Sequence, residues 1–395
     1  MSLNKKSVAD AAVSGKKVLV RCDFNVPLQE GVITDDTRIT AALPTIRHLL
    51  AQGAAVILCS HLGRPKGEVN PKYSLRPVAA RLSELLGQPV ALAQDVTGES
   101  ARALAAGLQP GQVMLLENLR FRPEEEKNEE GFCRELAALA DLYVNDAFGA
   151  AHRAHASTAG VAAFLPAVAG FLMQREIDVM GRALEKPERP FVAILGGAKV
   201  ADKLALIENL LDKCDSVLIG GGMSYTFSRA QGGQIGRSLC DESKLDMVRG
   251  LMEKAAQKGV QLLLPCDTVC GRSLDNDTER RVVKADCIPD DFQGLDIGPE
   301  TCERFAAVIK GAKTVVWNGP MGVFELPAFA EGTRAVARAV AESKAVSIIG
   351  GGDSASAIEQ LGFSKQVTHI STGGGASLEF LEGRVLPGVA CLLDK

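Results

Sequence analysis

The chain predicts an α/β fold built on parallel sheets, and three observations carry that prediction. Short apolar runs rich in Val, Ile and Leu alternate with longer segments of helical period, the habit of strands buried on both faces. Glycine is abundant, at 40 residues against one Trp and three Tyr, which favours many tight strand-to-helix turns over an aromatic-rich sandwich. A chain of 395 residues, 46% hydrophobic and 23% charged, can bury a large interior. At roughly 100 to 200 residues per domain it divides into two.

Taken in order, the strand candidates of the first half are KVLVRCDFNVP, AVILCSHLGRP, VMLLENLRFRP and LYVNDAFGAAHR. They end in Arg21, Asp23 and Asn25, then His61 and Arg64, then Arg120 and Arg122, then His152 and Arg153. The carboxyl ends of strands form the ligand crevice of an open α/β sheet, so these basic groups are expected to converge there. Arg38, in TDDTRITAALPTI just before a helical segment, is expected to join them. The acidic run RPEEEKNEEG, residues 122 to 131, reads as a solvated loop or helix start.

AGFLMQREIDVMGRALEKPERP separates the halves. Leu172, Ile177, Met180 and Leu184 recur at helical spacing before a proline-bracketed charged end, so the stretch reads as a connecting helix and boundary.

The strand candidates of the second half, FVAILGGAKVADKL, SVLIGGGMSYTF, TVVWNGPMGVFE, VSIIGGGDSASA and HISTGGGASLEF, end in glycines instead. A glycine-rich turn feeding a helix leaves backbone N–H groups open to a bound anion, with the positive end of the helix dipole behind them. Five such turns at one sheet edge suit a nucleotide. The final segment, EGRVLPGVACLLDK, is too short for a domain and too apolar for a free tail, so it is expected to pack on another part of the chain, the first domain being one candidate.

Composition excludes several classes. The net charge is −4 and the pI about 5.9, so the molecule as a whole has no attraction for nucleic acid or an anionic membrane. The longest apolar run, AGVAAFLPAVAGFLM, is short for a membrane span and contains Pro166. The N-terminus has lysines but no apolar h-region, which reads as a cytoplasmic protein. Ten scattered cysteines without a C-x-x-C pair read as buried free thiols; the nearest approach to a cluster, Cys266, Cys270 and Cys287, lies in strand and loop with no histidine close in sequence.

The chemistry turns on IIGGGDSASA, residues 348 to 357, which fits the loose dinucleotide fingerprint G-x-G-x-x-A. That reading requires an acidic residue closing the next strand, about 20 residues on. The strand, VTHIST, carries none. No Walker A loop occurs either. Phosphoryl transfer without such a loop needs anion cradles, a metal ligand and mobile cations. Asp353, directly after the Gly350 to Gly352 turn, is a candidate Mg²⁺ ligand, with a plain N-cap role as the alternative. Lys199 and Lys203, four apart, are read as sharing a helix face and bridging phosphates. His61 and His152 stand among arginines, which suits them as donors to a phosphate or carboxylate more than as bases. Where attacking and leaving groups are both anionic oxygens no base is required.

These stretches, together with DDTRI, DAFGAAHRAHAS, VWNGPMGVFE and STGGGASLEFLEG, resemble in order and over nearly the whole chain the motifs of the phosphoglycerate kinase family. Ser354 stands where threonine is common. The resemblance implies a monomeric glycolytic enzyme of two Rossmann-like domains with an interdomain cleft and hinge, using Mg²⁺ with ADP or ATP. Its partners would be small molecules. The domains would be residues 1–170, binding the triose phosphate, and 191–377, binding the nucleotide. Residues 171–190 would connect them, and 378–395 would return to the first domain.

The resemblance further implies that Asp23, Asn25, Arg38, His61, Arg64, Arg120 and Arg153 hold the phosphoglycerate. Gly196, Gly197, Lys199, Lys203, Gly221, Gly222, Asn318, Pro320, Gly322, Val323 and Glu325 would contact the nucleotide, Glu325 at the ribose, together with Gly351, Gly352, Asp353 and Ser354. Catalysis would fall to Arg38 and Lys199, aided by the turn at Gly373 and Gly374.

Overall fold

The four basic-ended runs of the first half are neighbouring strands of one sheet, and the five glycine-ended runs of the second half are strands of another. The computed structural model describes residues 2–395. Its internal contacts divide the chain into two units, Met1–Asp178 with Val385–Lys395, and Val179–Arg384.

The sheet of the first unit runs Val90–Leu92, Val113–Leu115, Ala55–Cys59, Lys17–Arg21, Leu142–Asn145, Ala167–Ala169, all in parallel and flanked by helices. Ala55–Cys59 is buried at every position. That explains its continuous apolar run, since a strand covered on both faces has no polar side to show. Register places Arg21 between Cys59 and Asn145. The loops that start at Cys22, Ser60 and Asp146 therefore leave the same edge side by side.

The sheet of the second unit runs Gln261–Leu263, Ser216–Ile219, Phe191–Leu195, Thr314–Asn318, Val346–Gly350, His369–Ile370, again all parallel. In chain order this is 3-2-1-4-5-6, the order of dinucleotide-binding folds, with its reversal between Phe191–Leu195 and Thr314–Asn318. Leu195, Asn318 and Gly350 are aligned across those strands. Among the elements not predicted is an antiparallel sheet in which Asp267–Gly271 pairs with Arg280–Lys284 and Gln293–Ile297.

The connecting segment is a single helix, Phe171–Glu185. Met173, Ile177, Met180 and Leu184 are among its buried positions; Leu172, expected in that stripe, is half-buried. Asp146 accepts from the N–H of Leu172 at 2.9 Å and of Met173 at 3.2 Å, which serves two donors of the first turn. The boundary between the units falls inside this helix. The second crossing comes at Arg384 and Val385, later than the expected 378, because the helix Gly375–Leu381 stays with the second unit.

The closing segment joins the first unit through several bonds. Lys6 N–H donates to the Leu393 carbonyl at 2.8 Å, and Leu393 N–H to Ala167 at 2.9 Å. The Lys5 ammonium, almost wholly buried, donates to the Leu392 carbonyl at 2.9 Å and pairs with Asp394 at 2.8 Å.

All ten cysteines are free thiols; five are buried, four half-buried, and Cys287 is exposed, against the expectation of burial throughout. Among the described residues no helix is long and apolar enough to cross a membrane.

Candidate functional site

At the carboxyl edge of the first sheet, Asp23, Asn25, Arg38 and Arg120 are linked by hydrogen bonds through Gly63, and His61 lies within reach of the charge of Arg38 and Arg120. One terminal nitrogen of Arg38 donates to both Asp23 oxygens, at 3.1 and 3.2 Å, and to the Asn25 carbonyl at 3.2 Å. Arg38 lies within the first turn of the helix Thr37–Ala51, not before it. Asn25 Oδ1 accepts from Gly63 N–H at 2.8 Å, and the Gly63 carbonyl accepts from Arg120 at 2.9 Å. Arg120 is buried, and its Nε faces Glu126 at 3.2 Å. Arg153 donates to His152 Nε2 at 3.2 Å. Arg64 is exposed.

His61 is buried, and burial, then the positive charge of Arg21, Arg120, Arg38 and Arg153, holds its pKa well below the usual value. It is a neutral imidazole. Its Nδ1 lies 3.2 Å from Arg21 Nη2, which can only donate, so the ring proton sits on Nε2. His155 is pushed down to about 4 by burial and then by the charge of Arg120, Arg21 and Arg153. The neighbourhood is suited to a small polyanion: fixed cations, and histidines available as neutral donors.

Two expectations on this side fail. Arg122 does not join the cluster; it pairs with Glu124 at 3.0 Å and Glu135 at 3.3 Å and stacks on Phe132. The acidic run is not wholly solvated. Glu125 is fully buried, accepting from Ser157 N–H at 3.0 Å and Ser157 Oγ–H at 2.5 Å. Burial raises its pKa, and the positive charge of Arg21 and the hydrogen bonds from Ser157 oppose that rise and favour the carboxylate.

The second unit carries a cleft of about 650 Å³ at the reversal of its sheet. Gly196, Gly197, Lys199, Lys203, Asn318, Gly351, Gly352, Asp353, Ser354 and Gly374, all expected at the site, line it. Lys199 and Lys203 meet here without sharing a helix face. The chain bends after Gly196, Lys203 ends the 3₁₀ turn Ala201–Lys203, and the α-helix begins only at Leu204. Lys203 is half-buried and donates to Asn318 Oδ1. Burial lowers its pKa, while Asp202, Asp353 and Glu382 oppose that. Lys199 is exposed.

The glycine turns work differently from the expectation that their N–H groups face an anion. Gly196 N–H donates to Asn318 O at 3.0 Å, Gly197 to Pro320 O at 2.9 Å, and Gly221 to Met321 O at 3.0 Å. These amides lace three turns together. A Cβ on Gly196 would stand 2.1 Å from the Pro320 carbonyl oxygen, and one on Gly319 would stand 2.2 Å from that of Gly196, so glycine here permits backbone contact. Ser354 is likewise turned inward, its Oγ accepting from Gly319 N–H at 2.5 Å.

The amides suited to an anion belong to the helix Gly352–Gln360, whose first-turn N–H groups have no acceptor within the helix and carry the positive end of its dipole. Gly351 caps it at φ +87°, a conformation other residues rarely adopt. Gly373 is buried and donates to Ser371 Oγ at 3.2 Å.

Gly221, Gly222, Pro320, Gly322, Val323 and Glu325 are not in the lining of this cleft. Gly221 and Pro320 are buried, and Glu325 is exposed. Val323 N–H donates to Leu295 O at 2.9 Å, tying its segment to the antiparallel sheet. Four charged lining residues were missed in the sequence: Asp202, Glu379, Glu382 and Arg384. Glu379 and Glu382, three apart after the last glycine turn, were the available signal. Arg384 pairs with Glu382 at 2.8 Å and Glu379 at 3.8 Å.

Asp296, in the antiparallel sheet, is buried and accepts from Gly332 N–H at 2.7 Å and Ile297 N–H at 2.9 Å. Burial pushes its carboxyl up to about 7 from 3.8. A carboxyl raised in the folded state stabilises the fold while protonated, and that contribution is lost as pH rises through about 7. The stability advantage of the parent over Asp296→Asn, measured by urea denaturation, is therefore expected to shrink between pH 4 and pH 8. An advantage that grows across that range would contradict the assignment.

A family model described as phosphoglycerate kinase matches residues 8–384. A curated relative named phosphoglycerate kinase, from Clostridium novyi (strain NT), is 59% identical over the full length of both chains. Among solved structures, phosphoglycerate kinase from Coxiella burnetii superposes with a TM-score of 0.92 at 44% identity, covering 98% of each chain. Phosphoglycerate kinase from Pyrococcus horikoshii OT3 superposes with a TM-score of 0.81 at 36% identity, again covering 98% of each.

Proposed function

The chain belongs to the phosphoglycerate kinase family, and from that premise we propose that it transfers the acyl phosphate of 1,3-bisphosphoglycerate to ADP, reversibly and with Mg²⁺, giving 3-phosphoglycerate and ATP in glycolysis. One observation supports this above the rest. The chain carries two anion-suited sites of different make, a cluster of arginines around a neutral His61 on one unit and a glycine, lysine and helix-terminus cleft on the other. The first suits a triose bearing carboxylate and phosphate; the second suits a nucleotide's phosphates.

In the forward reaction an oxygen of the ADP β-phosphate attacks phosphorus. The bond from phosphorus to the carboxyl oxygen breaks, and its electrons leave with the carboxylate. No proton has to move, so the site needs positioning and charge neutralisation and no general base. Asp23, Asn25, His61, Arg64, Arg120 and Arg153 hold the triose in this reading, and Arg38 and Lys199 neutralise the transferring group. Closure of the two units about the helix Phe171–Glu185 would exclude water, which would otherwise take the phosphate. Gly373 and Gly374 would add their turn to that charge stabilisation.

The donor set fits Mg²⁺ held jointly with a nucleotide. Among the described residues no group of three or more His, Cys, Asp or Glu could hold a metal, but Asp353 offers one exposed carboxylate in the phosphate cleft. One carboxylate with substrate phosphates is the usual protein share for this ion. When bound it supplies neutralisation of phosphate charge. Asp353→Ala is expected to lower kcat/KM for Mg-nucleotide by about 10²-fold while leaving KM for 3-phosphoglycerate within about threefold; equal loss of both would show that the carboxylate serves another purpose.

A coupled assay of ATP consumption with 3-phosphoglycerate tests the whole reading. ADP binding without turnover would point to a nucleotide-binding scaffold, and enhanced NADH fluorescence to a dehydrogenase. The enzyme is further proposed to act as a monomer in the cytoplasm, where its ten free thiols stay reduced; sedimentation as a dimer would contradict the first part.

A further inference from the structure

Behind the triose cluster runs a chain of hydrogen bonds that the reaction itself does not use. Glu125, fully buried, accepts from both the N–H and the Oγ–H of Ser157, at 3.0 and 2.5 Å. Ser157 Oγ accepts from Arg21 Nε at 2.9 Å. Arg21, also buried, donates from Nη1 to the Cys22 carbonyl and from Nη2 to His61 Nδ1 at 3.2 Å.

The geometry points to Glu125 as a positioning residue for substrate binding, acting through Ser157 and Arg21 to fix the tautomer and orientation of His61. Position is what the carboxylate contributes: it holds Ser157, and through it Arg21, against His61. A hydroxyl has one proton; with that proton committed to Glu125, the lone pair of Ser157 must face Arg21. Arg21 can only donate, so His61 Nδ1 must accept and Nε2 must carry the proton. A neutral imidazole without this constraint can place its proton on either nitrogen, and only one placement offers a donor to the triose. The carboxylate also offsets buried arginine charge close to the site. Substitution with glutamine keeps the shape and reverses the logic, because an amide N–H facing Ser157 would compete with Arg21 for the same lone pair.

This inference rests on His61 as a triose ligand, so its test separates the two. In the full chain labelled with ¹⁵N-histidine and free of substrate, the parent should show His61 as one Nε2–H tautomer, and Glu125→Gln should show exchange between tautomers. KM for 3-phosphoglycerate should rise about tenfold, the worth of one good hydrogen bond, with kcat within about twofold, since the contact is made equally before and during transfer. Should Glu125→Gln fail to fold, Ser157→Ala, which leaves the carboxylate in place, must give the same split. Unchanged His61 signals would overturn the relay. Altered signals with an unchanged KM would overturn the proposal through its premise, by showing that the triose does not depend on His61.

Discussion

Lys199→Ala is expected to lower kcat by about 10³-fold, the loss that follows removal of a cation neutralising a transferring phosphoryl group. Two lysines line the cleft of the second unit, and their surroundings assign them different work. Lys203 is half-buried and bonded to Asn318, a fixed part of the wall. Lys199 is exposed in the turn after Gly197 and Ala198, with a long flexible stem able to follow charge as it moves from one oxygen to another. Because the neutralisation matters most at the transition state, KM for nucleotide should change little beside kcat. Steady-state kinetics with both substrates saturating decide it: a kcat within tenfold of the parent would remove Lys199 from the chemistry.

Arg38→Ala is expected to have an effect of the same size, again about 10³-fold on kcat. The argument here is geometric. One guanidinium nitrogen occupies Asp23 and the Asn25 carbonyl, while the side chain remains partly exposed and keeps donors for a phosphate. Arg38→Lys should recover little, because an ammonium cannot hold Asp23 and a phosphate with a planar fork. Near-normal turnover by either variant would make Asp23, and not substrate, the reason for the arginine.

The strands that position the sites were legible because burial on both faces leaves unbroken apolar runs, as in Ala55–Cys59 and Phe191–Leu195. The antiparallel sheet was not, because Arg280–Lys284 is largely exposed and its apolar run is only Val282 and Val283. Residue types at strand ends revealed the cationic cluster, since that depends on topology alone. What they could not reveal was competition among donors. Gly196, Gly197 and Gly221 appear open in a one-dimensional string, yet their amides are consumed by neighbouring turns that come from far along the chain. Glu125 and Arg122 failed for a related reason: a charge run shows net polarity, whereas burial of one member depends on Ser157, and pairing of another on Glu135.

Residues Val179–Arg384 are contiguous and can fold as soon as they leave the ribosome. The unit made first is the one that finishes last: Ala167, Lys6 and the Lys5 ammonium take their partners from Leu392, Leu393 and Asp394, which follow the whole of the other unit in the chain. The N-terminal half must therefore wait, incompletely closed, while the other half is made, and the order of folding runs opposite to the order of translation.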